Sequence, residues 1–313
     1  MMEGCLCEQI FEWSETMTTQ NTGKLLHATL LGGSARALIA HTTSPAQAAR
    51  EMHDLSPTAT AALGRLLTGT AMLASMLKGD GDSISVSING GGPLGAALCV
   101  GKPDGSVKGY VDHPDCDPPR RSAGKLDVGG AVGSDGFLTV VRDLGFGEPY
   151  IGRTPLVSGE VAEDIAHYLL HSEQTPSLVA LGVLTHPERV LGAGGILIQT
   201  MPGCTEEDIV RLEALAPVLS SISRLAAEND TVEALARACL EDIEHEFLEI
   251  TPIIFACDCG RERMEQVMLS LGEEELRDML AKERGSEISC HFCGTKYRFT
   301  EEEILALIQQ AKE

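Results

Sequence analysis

Phe255-Ala256-Cys257-Asp258-Cys259-Gly260 and Ser289-Cys290-His291-Phe292-Cys293-Gly294 decide how this chain is divided, because they set a C-x-C pair and a C-x-x-C pair thirty residues apart. Four thiols in two close pairs form a soft tetrahedral ligand set. Zinc suits it, since a d10 ion imposes no geometry of its own and takes four sulfurs at roughly 2.3 Å. An iron–sulfur cluster is the alternative that the same ligands allow. Four thiols buried as plain apolar groups would fit poorly with Asp258, Arg261, Glu262 and Arg263 around one pair and His291, Lys296 and Arg298 around the other. Gly260 and Gly294 follow the second cysteine of each pair, where glycine is expected to let the backbone turn and aim its amides at the sulfurs.

A closed four-thiolate site is ordinarily structural, with no open position for substrate. Thiolates are also the oxidisable form of cysteine, and a bound metal keeps all four deprotonated at neutral pH. One site can therefore act as clamp and trigger. From Phe255 onward the chain has roughly sixty residues, a size at which core burial supplies only about 3–5 kcal/mol. Structural zinc supplies roughly 10–16 kcal/mol of apparent binding energy. The metal term dominates, so its loss is expected to melt residues 253–313.

The full 313 residues have room for one large core and a smaller unit. Ten cysteines are too sparse for a disulfide scaffold, and the grouped ones are spaced for metal, which implies a reducing compartment and a cytoplasmic location. Residues 1–16 carry Glu3, Glu8, Glu12 and Glu15 and no basic residue, the wrong charge for a secretory leader. Residues 1–20 read as an unassigned extension, or as the product of a start placed too early with Met17 as the true one, and Cys5-Leu6-Cys7 lacks a partner pair. No apolar run approaches the roughly eighteen residues of a membrane span. The formal charge is −22, of which the stretch from Met201 onward contributes −14, with 25 acidic and 11 basic residues. Such a surface repels phosphate backbones and excludes a nucleic-acid partner, while it keeps soluble a protein that exposes apolar surface.

The pattern along residues 21–203 predicts an α+β domain around a mostly antiparallel sheet. Lys24–Ala40 alternates around Gly32-Gly33 as a strand or hairpin, and Asp82–Asn89 places Ile84, Val86 and Ile88 at period two. Further strands are predicted at Ala96–Val100, Val107–Val111, Phe137–Leu144, Pro149–Leu156, Leu178–Leu184 and Val190–Met201. Ser44-Pro45 opens a short helix and Ser56-Pro57 a longer, small-residue-rich one that is expected to be packed all round. Glu160–Ser172 is a third. The run Gly90-Gly91-Gly92-Pro93 lacks the Lys-Ser or Lys-Thr of a phosphate cradle and reads as a turn. His167 and His171 stand four apart without a flanking H-E-x-x-H and read as surface histidines. No catalytic constellation stands out.

Residues 204–252 change character. Thr205–Ala226, capped by Thr205 and Asp208, and Thr231–Phe247, capped by Asp230, are predicted as two amphipathic helices with acidic outer faces. Isolated helices below about 12–15 residues are marginal in water, so their order must come from neighbours. The segment is either an ordinary linker or a metastable switch.

The cysteine pattern, with Ser56–Asp80, Gly109-Tyr110-Val111-Asp112, Ser158–Asp164, Ser172-Glu173-Gln174 and Gly194–Pro202, resembles the bacterial thirty-three-kilodalton redox-regulated heat-shock chaperone family (HslO type), from about Lys24 to Leu307. The resemblance implies an ATP-independent holdase with a client-binding and dimerisation domain, a metastable helical linker and a redox-switch module. It implies one zinc ion on Cys257, Cys259, Cys290 and Cys293 in the reduced, inactive form. Oxidants would join neighbouring cysteines, expel zinc and unfold module and linker. Unfolding client proteins and a second copy, in the oxidised homodimer, are the implied partners. Cys99, Cys116, Cys204 and Cys239 fall outside the motif. Two other readings stay open: a thiol–disulfide oxidoreductase using Cys290 and Cys293, and a purely structural zinc ribbon.

Overall fold

The computed structural model describes residues 21–121, 125–282 and 286–310. Residues 1–20, including Cys5 and Cys7, lie outside them, and so does the expectation of an extension there. The protein is α+β and divides after Ala256 into two compact units.

Among the described residues of the first unit, ten strands form one sheet. They are β1 (Thr22–Leu30), β2 (Ala35–His41), β3 (Ser83–Gly91), β4 (Ala97–Gly101), β5 (Ser106–Val111), β6 (Gly133–Asp143), β7 (Tyr150–Pro155), β8 (Ser177–Thr185), β9 (Val190–Thr200) and β10 (His245–Phe255). Their order is β7-β6-β3-β4-β5-β10-β1-β2-β9-β8. Every pairing is antiparallel except that of β10 with β5, which begins at Ile254↔Ser106.

Side chains alternate across a strand, so neighbours in sequence serve opposite faces. Leu25, Leu38, Ile84, Val86, Leu138 and Leu197 join one buried cluster. Leu26, Ile39, Ile196 and Ile198 join another. The first face is covered by α1 (Thr43–His53), α2 (Pro57–Ala74), the short α3 (Val128–Val132) and α4 (Ala162–His171). In α2, 16 of 18 residues are buried, as an all-round apolar helix requires. Its start follows the expected rule: Ser56 Oγ accepts from Ala59 N at 3.1 Å with Pro57 in the first turn. Two buried threonine hydroxyls along it bond back one turn, Thr60 to Ser56 O and Thr68 to Gly64 O, both at 2.7 Å. The Ser158–Asp164 stretch proves to be a structural device. Buried Asp164 accepts backbone N–H bonds from Val157, Ser158 and Val161 at 2.8, 3.2 and 3.0 Å and so shapes the loop before α4.

The second face is covered by α5 (Glu206–Glu213), α6 (Ala216–Leu219), α7 (Ile222–Glu228) and α8 (Val232–Cys239). Two predicted helices differ here. Thr205–Ala226 is broken into three, and Pro217, with no N–H to bond back to Glu213 O, lies in the first turn after the first break. Thr231–Phe247 ends as helix at Cys239, with Thr231 rather than Asp230 as cap, and resumes as β10 from His245. The β-branched and aromatic content of Phe247, Thr251, Ile253, Ile254 and Phe255 favours a strand. Pro252 is tolerated in it because pairing with β5 begins only at Ile254.

Helices of 8, 4, 7 and 8 residues are too short to persist alone. They persist because Leu212, Leu215, Leu219, Ile222, Leu235, Leu240 and Ile243 are buried against the sheet. Each such side chain contributes about 1.5–3 kcal/mol. Two glycines permit the contact. A Cβ on Gly192 would stand 2.4 Å from Ala227 N, and one on Gly182 would stand 2.7 Å from Ile222 Cγ2, so α7 lies directly on bare backbone.

Gly192→Val should therefore lift α7 from β9. The expected outcome is protease cleavage within residues 204–244 and raised binding of an apolar dye, with the far-ultraviolet β signal retained.

Candidate metal and redox centre

The second unit begins at Cys257. It comprises α9 (Arg261–Leu271), α10 (Glu273–Lys282), a hairpin of β11 (Ser286–Ser289) and β12 (Lys296–Phe299), and α11 (Glu301–Gln310). Its core is small: Met264, Met268, Leu276, Phe299, Ile304, Leu307 and Ile308. The α11 start is a capping box, with Thr300 N donating to Glu303 Oε2 at 2.8 Å and Glu303 N to Thr300 Oγ1 at 3.4 Å. Arg261 braces that helix from outside, reaching Glu303 at 2.5 Å and covering the Phe299 ring at 4.5 Å.

Cys257 and Cys259 lie in the extended chain leading into α9, and Cys290 and Cys293 in the turn of the hairpin. That turn is closed by Cys290 N donating to Thr295 O at 2.9 Å and Gly294 N donating to Cys290 O at 2.7 Å. Gly294 has φ +69, the left-handed conformation that glycine adopts without strain. Gly260 does not need to be glycine on that ground: its φ of −153 is open to any residue, and a Cβ there meets nothing within 4 Å.

All four sulfurs lie within 4.8 Å of one another, the arrangement a single metal ion requires. Cys257 and Cys290 are 3.7 Å apart and Cys259 and Cys293 3.3 Å apart. Four sulfurs at roughly 2.3 Å from a tetrahedral zinc stand about 3.8 Å from each other, so donor set and spacing both fit. Tyr297 Oη lies 3.1 Å from Cys259 Sγ and Thr295 Oγ1 lies 3.2 Å from Cys293 Sγ.

Desolvation pushes the Cys257 and Cys259 thiols above their ordinary value. Desolvation pulls Cys293 the same way, yet hydrogen bonds from the Thr295 hydroxyl and amide overcome it and lower that thiol to about 7. A bound cation would settle the matter by holding all four as thiolates. Around the site, Arg263 pairs with Asp258 at 2.9 Å, and Glu287 with Lys296 and Arg298 at 2.7 and 2.9 Å. These exposed pairs contribute little to stability.

The remaining described cysteines are elsewhere. Cys99 and Cys239 are buried in the two sheet cores, and burial pushes Cys239 up to about 12. Cys116 and Cys204 are partly exposed. The rings of His167 and His171 lie 4.2 Å apart, tilted by 46°, but gather no third ligand, since the four cysteines are the one such group among the described residues. The Gly90–Gly92 run serves close backbone approach, a Cβ on Gly90 falling 2.1 Å from Gly133 O. Tyr297, read from sequence only as part of a strand, was the missed member of the site. An aromatic hydroxyl four residues past the last cysteine was its only signal.

Fold and site together define a two-unit protein in which a sheet domain, covered on one face by short helices, leads into a four-thiolate centre able to hold a metal ion. Comparison with known proteins carries this to a family. The profile of the family described as Hsp33 protein matches residues 23–300. A 33 kDa chaperonin of Alkaliphilus metalliredigens is 42% identical, the match covering 92% of this chain and 99% of that one. A 33 kDa chaperonin of Staphylococcus aureus is 41% identical over 91% and 97%. The crystal structure of the 33 kDa chaperonin (heat shock protein 33 homolog) of Thermotoga maritima superposes with a TM-score of 0.82 at 34% identity, covering 94% of this chain and all of that one. The chain belongs to the Hsp33 chaperone family. No helix among the described residues is long and apolar enough to cross a membrane.

Cys290 is the most buried of the four cysteines, at 6% exposure. Cys290→Ser should lose several of the roughly 10–16 kcal/mol that a structural zinc site supplies. The expected readout is loss of one-to-one metal in elemental analysis and loss of helical signal from the second unit, whereas Cys116→Ser keeps both.

Proposed function

We propose that the protein is a redox-regulated, ATP-independent holdase of the cytoplasm. Cys257, Cys259, Cys290 and Cys293 hold one zinc ion in the reduced, resting form, and the ion keeps four thiolates deprotonated at one point. The observation that carries this reading is the four-sulfur cluster within 4.8 Å in a unit whose own core is seven buried apolar residues. A core of that size supplies only about 3–5 kcal/mol, well below the metal term.

Activation follows from that imbalance. Cys257 with Cys259, and Cys290 with Cys293, each form a disulfide as two thiolates lose two electrons to hypochlorite or a peroxide. Uncharged disulfide sulfurs no longer bind the cation, and residues 257–313 lose their main source of order. With residues 245–252 held in the sheet as part of β10, residues 204–244 act as the metastable linker. Its short helices cover Leu26, Ile39, Ile196 and Ile198, and their departure bares an apolar sheet face fit for unfolding clients. Residues 21–203 carry client binding and the homodimer of the oxidised state. The charge of −22 keeps such a face in solution and speaks against nucleic acid as partner.

Thiol–disulfide exchange catalysis is disfavoured by where the C-x-x-C lies. It occupies a hairpin turn between β11 and β12 rather than the N-terminus of a helix that would activate its first thiol.

The decisive experiment pairs zinc release with client protection. Hypochlorite-treated, zinc-free protein should suppress light scattering of a heat-denaturing client at near-stoichiometric ratio, and the reduced zinc form should not. Equal protection by both forms sinks the switch, and zinc retained under oxidant leaves only a structural ribbon.

A further inference from the structure

The two chelating arms of the centre are joined by a side chain that is not a ligand. Tyr297 lies on β12, opposite Ile288, in the hairpin that carries Cys290 and Cys293. Its ring packs against the small core of the unit. Its hydroxyl does not serve its own arm but crosses to Cys259 Sγ, 3.1 Å away, on the C-x-C arm. Thr295, by contrast, reaches Cys293 within the same arm.

We propose that Tyr297 is a positioning residue that sets how readily the centre opens. A neutral O–H donated to a thiolate draws charge from a sulfur that shares one cation with three others, and so lowers that sulfur's nucleophilicity. It also fixes the sulfur's direction relative to the opposite arm, as outer-shell partners of metal ligands do. Because the ring is anchored in the core, the donor is pre-placed. Removing it leaves Cys259 with a freer rotamer and more charge. The lost orientation outweighs the added charge, so the metal is held less tightly, and the more nucleophilic sulfur meets an oxidant sooner. Only this last effect rests on the redox reading above; tighter metal retention does not.

Tyr297→Phe keeps the ring and deletes the donor. In full-length protein loaded with cobalt(II), the sulfur-to-metal charge-transfer band should shift relative to wild type. Chelator competition should show zinc held about tenfold less tightly, the lower end of outer-shell effects. Release of zinc by hydrogen peroxide, with two thiolates and two protons giving a disulfide and two waters, should be several-fold faster. An unshifted cobalt band with unchanged zinc affinity overturns the assignment, even if release speeds up, because the hydroxyl contact is then not made. Should the phenylalanine form fail to load metal, 3-fluorotyrosine at position 297 supplies a near-isosteric, stronger donor. It should shift the band the opposite way and slow release, and no change in either overturns the proposal. If peroxide frees zinc from every form without client protection, the holdase reading fails while the role of Tyr297 stands.

Discussion

A strand that is apolar on both sides has to be covered twice. In β1, β2 and β9 the pairs Leu25/Leu26, Leu38/Ile39 and Leu197/Ile196 send one side chain into each of two separate cores. One cover is the 18-residue α2, buried almost all round and long enough to be a helix on its own terms. The other is four helices of at most 8 residues, which exist as helices only because the sheet is there. The asymmetry is built into composition: α2 is alanine, leucine and threonine with a serine cap and a proline start, whereas the second cover is interrupted by Pro217 and faces solvent with acids.

The C-terminal unit repeats the same dependence with a different partner. Its hydrophobic cluster is too small to hold two helices, a hairpin and a third helix against the conformational entropy of ordering them. Four sulfurs brought within 4.8 Å offer a cation the means to do so. One part of the chain thus rests on an apolar surface, and the other brings four sulfurs to a point where an ion could bind.

What could be read from sequence was what is decided locally. The cysteine knuckles, the Ser56-Pro57 helix start and the period-two strands each depend on residues a few positions apart. The sheet order was not legible, because β1 pairs with β10 through contacts such as Thr22↔Ile254, more than two hundred residues apart. For the same reason β10 reads in sequence as the end of a helix: Ile243 and Phe247 fit a helical spacing, and only a distant partner reveals the strand. The Tyr297 contact was not legible, since it needs the hairpin to fold before its hydroxyl faces the other arm.

The strand β10 has a topological consequence. It returns the chain to the middle of the sheet, three strand positions from β9, so residues 201–244 are pinned at both ends about 14 Å apart. Detached from the sheet, this stretch would be a closed festoon with a natural span of roughly 35 Å, not a free tail. Loop closure limits the entropy it gains on coming loose. Its high effective concentration over the face it left means that reattachment competes with any occupant of that face without a search.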